Sequence, residues 1–268
     1  MELQLSEKNF LVTIPHAGEK VPDYCDWLTN LPEPILMEDV DRFVDVIYQP
    51  AIQELQLQSV KTEWHRYAVD LNRVPTDIDE SSVQGHKNPN GSFSRGYHWV
   101  ITTKKFALMK QPMTEKMHKD LTDLIYHPFH EQIQFYQKKI RSINPAVEVF
   151  HLDLHSMPSL GTNEHRDPGE LRADIVVSDC IGKSARPDFV DKVITAYCRA
   201  GFKVAYNWPY FGGRLTEQYG QPTKGCHTVQ VELNRAIYMD EVTKQIKKEK
   251  LASVQEQLTK ALRWILKK

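Results

Sequence analysis

At 268 residues, with 41% hydrophobic and 26% charged side chains, the chain has the composition of an ordinary globular protein and enough length for one large core or two small ones; a single domain over residues 1–268 is the default expectation. Its 34 basic and 35 acidic residues leave a formal charge of −1, which disfavours nucleic acid and anionic membrane surfaces as partners. Four cysteines without a C-x-x-C pair read as reduced thiols, the N-terminal segment lacks an export signal, and no apolar run approaches membrane-spanning length, so a cytoplasmic protein is predicted.

The run Asn9–Ile14 is nearly all apolar and stops at Pro15-His16-Ala17-Gly18, the pattern of a buried parallel strand. His16 then stands at its carboxyl end, the edge where open α/β sheets bind ligands. Glu19 follows three residues on, and His-x-x-Glu can present an imidazole and a carboxylate to one metal ion; a plain surface carboxylate explains Glu19 equally well. Residues 20–37 are proline-rich and read as loop. The stripe Val40, Phe43, Val44, Ile47 and Ile52 predicts a helix over Glu38–Leu55, kinked or shortened at Pro50. Glu38, Asp39 and Asp41 suit the positive end of its dipole, or alternatively a metal.

A second strand is expected over Trp64–Arg73, closed by Pro75 and ending in Asn72-Arg73, a pair suited to gripping a carboxylate unless Arg73 serves a structural acid such as Asp70. Thr76–Tyr97 is a polar excursion with a turn at Asn88-Pro89-Asn90-Gly91. Helical pattern returns over Lys105–Ile140 with a break near Pro128, and His98, His118, His127 and His130 show no metal spacing.

In Val149–Ser156, side chains two apart share a strand face, so His151, Asp153 and His155 form a polar row. A loop (Gly161–Leu171), a strand (Ala173–Ser178), a helix (Pro187–Ala200) and a strand (Phe202–Tyr206) follow. Asn207–Thr216 reads as a glycine-hinged loop in which Arg214 could meet an acidic substrate, although the glycines also suit a simple turn. The last strand, His227–Asn234, buries Val229, Val231 and Leu233 and turns Gln230 and Glu232 to the other face, making Glu232 the best-placed general base. An amphipathic helix over residues 242–266 closes the chain.

In chain order the expected strand ends carry His16, Asn72-Arg73, His155-Ser156 and Glu232, an ordered set that resembles the zinc carboxypeptidase superfamily. Within it the chain is most similar to the N-formylglutamate amidohydrolase family, through Pro15-His16-Ala17-Gly18, Val69-Asp70-Leu71-Asn72-Arg73, Asp153-Leu154-His155-Ser156-Met157, Arg172-Ala173-Asp174-Ile175-Val176, Pro209-Tyr210-Phe211-Gly212-Gly213 and Gln230-Val231-Glu232-Leu233-Asn234-Arg235. The resemblance implies a three-layer α/β sandwich with a mixed, largely parallel sheet, and one Zn2+ held by His16, His155 and a carboxylate. The family's Asp-x-Asp, here Asp39-Val40-Asp41, favours Asp41 for that carboxylate; the superfamily pattern keeps Glu19 as the alternative.

The implied reaction is hydrolysis of the N-acyl amide of a small acidic substrate such as N-formyl-L-glutamate. Three protein ligands leave a position for water, whose pKa zinc lowers to about 7. Glu232 would act as base, Arg66 or Arg73 would face the oxyanion, and Asn72, Arg73 and Arg214 would meet the substrate carboxylates. Asp70, His151 and Asp153 would hold the ligands in place. Ser178-Asp179-Cys180 departs from the Gly-Asp-Arg or Gly-Thr-Asn frequent in the family, so the acyl amino acid could differ. A related metallo-amidase or carboxypeptidase would use the same residues. A non-catalytic module binding an acidic metabolite is the remaining reading, and it has no need of Glu232.

Overall fold

The computed structural model describes residues 3–87 and 92–267, and the turn expected at Asn88-Pro89-Asn90-Gly91 lies outside them. The strands are β1 (Phe10–Ile14), β2 (Gln58–Lys61), β3 (Val149–Met157), β4 (Ile175–Ser178), β5 (Val204–Tyr206) and β6 (Cys226–Asn234). The α-helices are α1 (Asp26–Thr29), α2 (Glu33–Leu36), α3 (Val44–Glu54), α4 (Glu115–Leu121), α5 (His127–Ile143), α6 (Pro187–Arg199), α7 (Arg214–Tyr219) and α8 (Lys248–Leu266). Internal contacts divide the chain into two compact units, Met1–Ile14 with Phe43–Val60 and Ile133–Lys268, and Pro15–Arg42 with Lys61–Gln132.

The first unit is built on a six-stranded sheet in the order β2-β1-β3-β6-β4-β5. The β1/β3, β3/β6 and β4/β5 pairs are parallel and β4/β6 is antiparallel, so the sheet is mixed and mostly parallel. All nine residues of β3 and all nine of β6 are buried. Strands covered on both faces normally read as continuous apolar runs; here one face of β3 is Phe150, Leu152 and Leu154 while the other carries His151, Asp153 and His155. Those polar groups must find partners inside the protein.

Helices flank this sheet, with α8 packed against α3 and α6 through the buried stripe Val254, Leu258, Leu262 and Ile265. The chain enters α8 at Lys248, later than the expected residue 242, because the Asp240 carboxylate accepts the Val242 and Thr243 N–H groups at 2.9 and 2.7 Å and closes a turn there. Pro50 neither ends nor shortens α3. Proline removes the N–H that would bond the Val46 carbonyl, and Gln255 of α8 donates to that carbonyl from its Nε2 at 3.1 Å instead. The helix expected from Glu38 starts only at Val44, since Phe43 takes φ 68 and interrupts any helical run.

The second unit is mostly loops and short helices. Trp64–Arg73 is not a strand: apart from a bridge between Lys20 and Trp64, it runs through turns. Its Ala68, Val69 and Leu71 are buried, which gave the strand-like pattern, but side chains satisfy the backbone there. His65 Nδ1 accepts the Tyr67 N–H at 3.1 Å and Asp70 Oδ1 accepts the Asn72 N–H at 2.9 Å. The helix expected from Lys105 begins at Glu115, where Thr114 caps it by accepting the Met117 N–H at 3.2 Å. The break near Pro128 takes the form of a π-helical stretch, Thr122–Tyr126, between α4 and α5.

Candidate functional site

His16 lies two residues past the end of β1, in the second unit, and two contacts fix it. The Asp41 N–H donates to the His16 carbonyl at 2.9 Å, which brings the Asp41 carboxylate to the imidazole: Oδ2 is 3.5 Å from Nδ1. On the other ring edge, Nε2 meets Asp70 Oδ1 at 2.8 Å. Asp70 also accepts from Asn72 N on Oδ1 and from Arg66 Nη2 and Trp99 Nε1, both at 2.9 Å, on Oδ2. Burial alone would push its carboxyl up, yet the His16 ring against it and the guanidiniums of Arg66 and Arg73 hold it well below the usual carboxylate range. An ionised acceptor at Nε2 places the His16 proton there and the ring's lone pair on Nδ1, the side of Asp41.

Glu19 is engaged elsewhere, since Arg42 donates from Nε to Oε1 at 2.8 Å and from Nη2 to Oε2 at 3.3 Å. Asp39, two residues before Asp41, is a structural acceptor for Tyr67 Oη at 2.7 Å, Thr103 N at 3.1 Å and Thr103 Oγ1 at 2.5 Å. Arg66 reaches the Asp39 carbonyl at 2.8 Å and lies over the Trp99 ring. Arg73 donates to the carbonyls of Asn72 at 2.9 Å and Arg95 at 3.4 Å.

In the first unit, the β3 and β6 register sets His151 beside Thr228, Asp153 beside Gln230 and His155 beside Glu232. His151 and Asp153 find their partners on the neighbouring strands. Thr13 Oγ1 donates to Asp153 Oδ1 and meets His151 Nε2, both at 2.8 Å, and His151 Nδ1 faces Thr228 Oγ1 at 3.3 Å. Burial pushes His151 down to about 4 despite the Asp153 charge, so it is neutral at physiological pH. Burial raises the Asp153 carboxyl, but His155, Thr13 and His151 lower it below its ordinary value. Asp153 Oδ2 lies 3.1 Å from His155 Nε2, an ion-pair distance, whereas Asp70 and His16 share a hydrogen bond of 2.8 Å. Gln230 Nε2 donates to Glu232 Oε1 at 2.8 Å.

His16, Asp41 and His155 each offer a ligand atom within 4.8 Å of the others, a His/Asp/His group that could hold a metal ion. Arg214 opens α7 on the surface, 3.4 Å from Glu217. Sequence reasoning missed the role of Gln230, whose place beside Glu232 was visible in the strand alternation, and the buried pair in which Arg172 donates to both oxygens of Asp167 at 2.7 and 2.9 Å and to Tyr210 Oη at 3.0 Å. For that pair, five residues apart in a loop, no local pattern gives a signal.

A mixed, mostly parallel sheet flanked by helices, together with such a group, defines an α/β protein with a candidate His/Asp/His metal centre. The profile of the N-formylglutamate amidohydrolase family matches residues 8–239, and the chain belongs to that family. It is 26% identical over 256 residues to the N-formylglutamate deformylase of Pseudomonas putida, covering 94% of this chain and 90% of that protein. It is 26% identical over 235 residues to the protein of the same name from Pseudomonas aeruginosa, covering 86% and 82%. The crystal structure of N-formylglutamate amidohydrolase from Ralstonia eutropha JMP134 superposes with a TM-score of 0.85 at 25% identity, over 98% of this chain and 93% of that one. A gene product of Agrobacterium tumefaciens, at TM-score 0.68 and 17% identity over 97% and 94%, shares the fold.

Proposed function

We propose that this chain is a metal-dependent amidohydrolase that cleaves the N-acyl amide of an acidic amino acid, releasing formate and glutamate from N-formyl-L-glutamate. The observation that carries this reading is the His16, Asp41 and His155 group, all buried and within 4.8 Å, in a chain of this family whose Glu232 is register-paired with His155. The names of the Pseudomonas relatives support the substrate. Two imidazoles and a carboxylate are the donor set of a catalytic zinc site, and an aspartate beside each imidazole is the outer support such sites use. Asp41 is our choice of carboxylate because Glu19 is bound by Arg42. When bound, the ion would supply Lewis-acid polarisation of the carbonyl and acidify a water.

The chain's own residues then divide the work. Asp70 holds the His16 imidazole with a proton on Nε2, and Asp153 sets its charge 3.1 Å from the His155 imidazole. Glu232 takes a proton from the attacking water as the new C–O bond forms and returns it to the leaving nitrogen as the C–N bond then breaks. Arg66 or Arg73 faces the charge that develops on the carbonyl oxygen. Asn72, Arg73 and Arg214 supply donors for the two substrate carboxylates. The four free cysteines fit a cytoplasmic location, and no helix among the described residues is long and apolar enough to cross a membrane. The family match over residues 8–239 supports reading the chain as one catalytic domain.

The test is to incubate zinc-loaded protein with N-formyl-L-glutamate, N-acetyl-L-glutamate and a short peptide while following formate and free amine. Fastest release from the formyl substrate, abolished by a chelator, is expected. Tight binding of these ligands with no hydrolysis of any would overturn the reading in favour of a binding module.

A further inference from the structure

One buried amide in the β3 and β6 row is committed at both ends. Gln230 Oε1 accepts the main-chain N–H of Gly213 at 2.7 Å and faces Thr216 Oγ1 at 3.3 Å. A backbone N–H can only donate, so the atom facing Gly213 is the carbonyl oxygen and the amide cannot be flipped. Its NH2 end therefore points the other way, where Nε2 donates to Glu232 Oε1 at 2.8 Å. Gln230 is 4% exposed and Thr216 fully buried, so bulk water has little access to replace these bonds. Gly213 immediately precedes α7 and Thr216 stands in its first turn, so this short helix supplies both groups that clamp the amide. Thr216 Oγ1 also lies 3.3 Å from Asp153 Oδ2, which reaches His155 Nε2 at 3.1 Å. A continuous line of contacts thus runs from the His155 imidazole to the Glu232 carboxylate.

We propose that Gln230 is a positioning residue for the reaction, pinning Oε1 of Glu232 so that Oε2 is the oxygen that exchanges the proton. This rests on the hydrolase reading and goes beyond it by naming what aims the base. Gln230 acts through Glu232 and touches no reacting atom. Its loss removes the donor that aims Oε1, and a misplacement of about 1 Å costs roughly a hundredfold in rate.

Gln230→Leu removes the donor outright, and Gln230→Met removes it at nearly the original length in case the branched side chain does not fold. The expected result in either variant is kcat lower by about 10- to 100-fold, KM for N-formyl-L-glutamate within about twofold of the wild type, and an unchanged zinc content. A crystal structure of the variant should show the Glu232 carboxylate turned from its wild-type position. A variant with wild-type kcat, or one whose Glu232 carboxylate has not moved, overturns the proposal. A wild-type protein that hydrolyses no acyl amino acid removes the hydrolase reading instead, and the carboxylate position in the variant crystal then still decides whether Gln230 orients Glu232.

Discussion

Asp70 is a buried carboxylate whose oxygens take four donors, His16 and Asn72 on one and Arg66 and Trp99 on the other. An amide of the same shape presents an NH2 where one pair of those donors points, so Asp70→Asn loses the proton placement on His16 and the counter-charge of Arg66 together. Zinc affinity should fall by about 10- to 100-fold, measured by competition with a chelator, and an unchanged affinity would show that Asp70 does not support His16 as a ligand. Glu232→Gln is expected to behave oppositely. It should keep its zinc and lose about 10²- to 10⁴-fold in kcat, and a fully active variant refutes the base assignment. The places of His16, His155 and Glu232, just past β1 and on β3 and β6, were legible because each sits where an apolar run ends or alternates with polar residues. The engagement of Glu19 by Arg42 was not, since it depends on the path of the loop between them.

At the level of elements, β1, β3 and β6 could be read directly from the chain, because their hydrophobic periods agree with the sheet they join. The segment Trp64–Arg73 could not. Burial by loops produces the same apolar composition as burial in a sheet, and only the third dimension separates them. Gly18 shows what this segment requires. A Cβ there would lie 2.4 Å from the Trp64 carbonyl oxygen, in a stretch where Lys20 N donates to Glu63 O and His65 N to Lys20 O, both at 2.8 Å. Gly18→Ala must therefore push two backbones apart just past His16. A loss of about 1–3 kcal/mol in urea unfolding is expected, with weaker zinc binding. A variant as stable as the wild type would mean that this close approach is not required.

Among the described residues, His65, His98 and His151 are buried neutral. Burial pushes His65 and His151 down to about 4 and His98 down to about 3, from an ordinary 6.5. Below pH 6.5 the unfolded chain takes up protons that the folded chain refuses, so stability is lost as the pH falls toward 4, by about 2 kcal/mol for each histidine at pH 5. Urea midpoints measured with a chelator present should decline steadily from pH 7 to pH 4.5; a flat profile would contradict neutral burial. The strands β1, β3 and β6 and the polar row on β3 followed from alternation along the chain, whereas the mixed strand directions came from the family resemblance and not from any local pattern. The tether from Asp41 N–H to the His16 carbonyl followed from none, because it joins residues 25 apart through irregular backbone. The proposed hydrolysis depends on His16, Asp41 and His155 acting on one ion. Anomalous diffraction from crystals of the zinc-loaded protein tests this most directly: a single peak within bonding distance of one atom from each of the three is the result expected, and a peak elsewhere, or none at full zinc saturation, contradicts it.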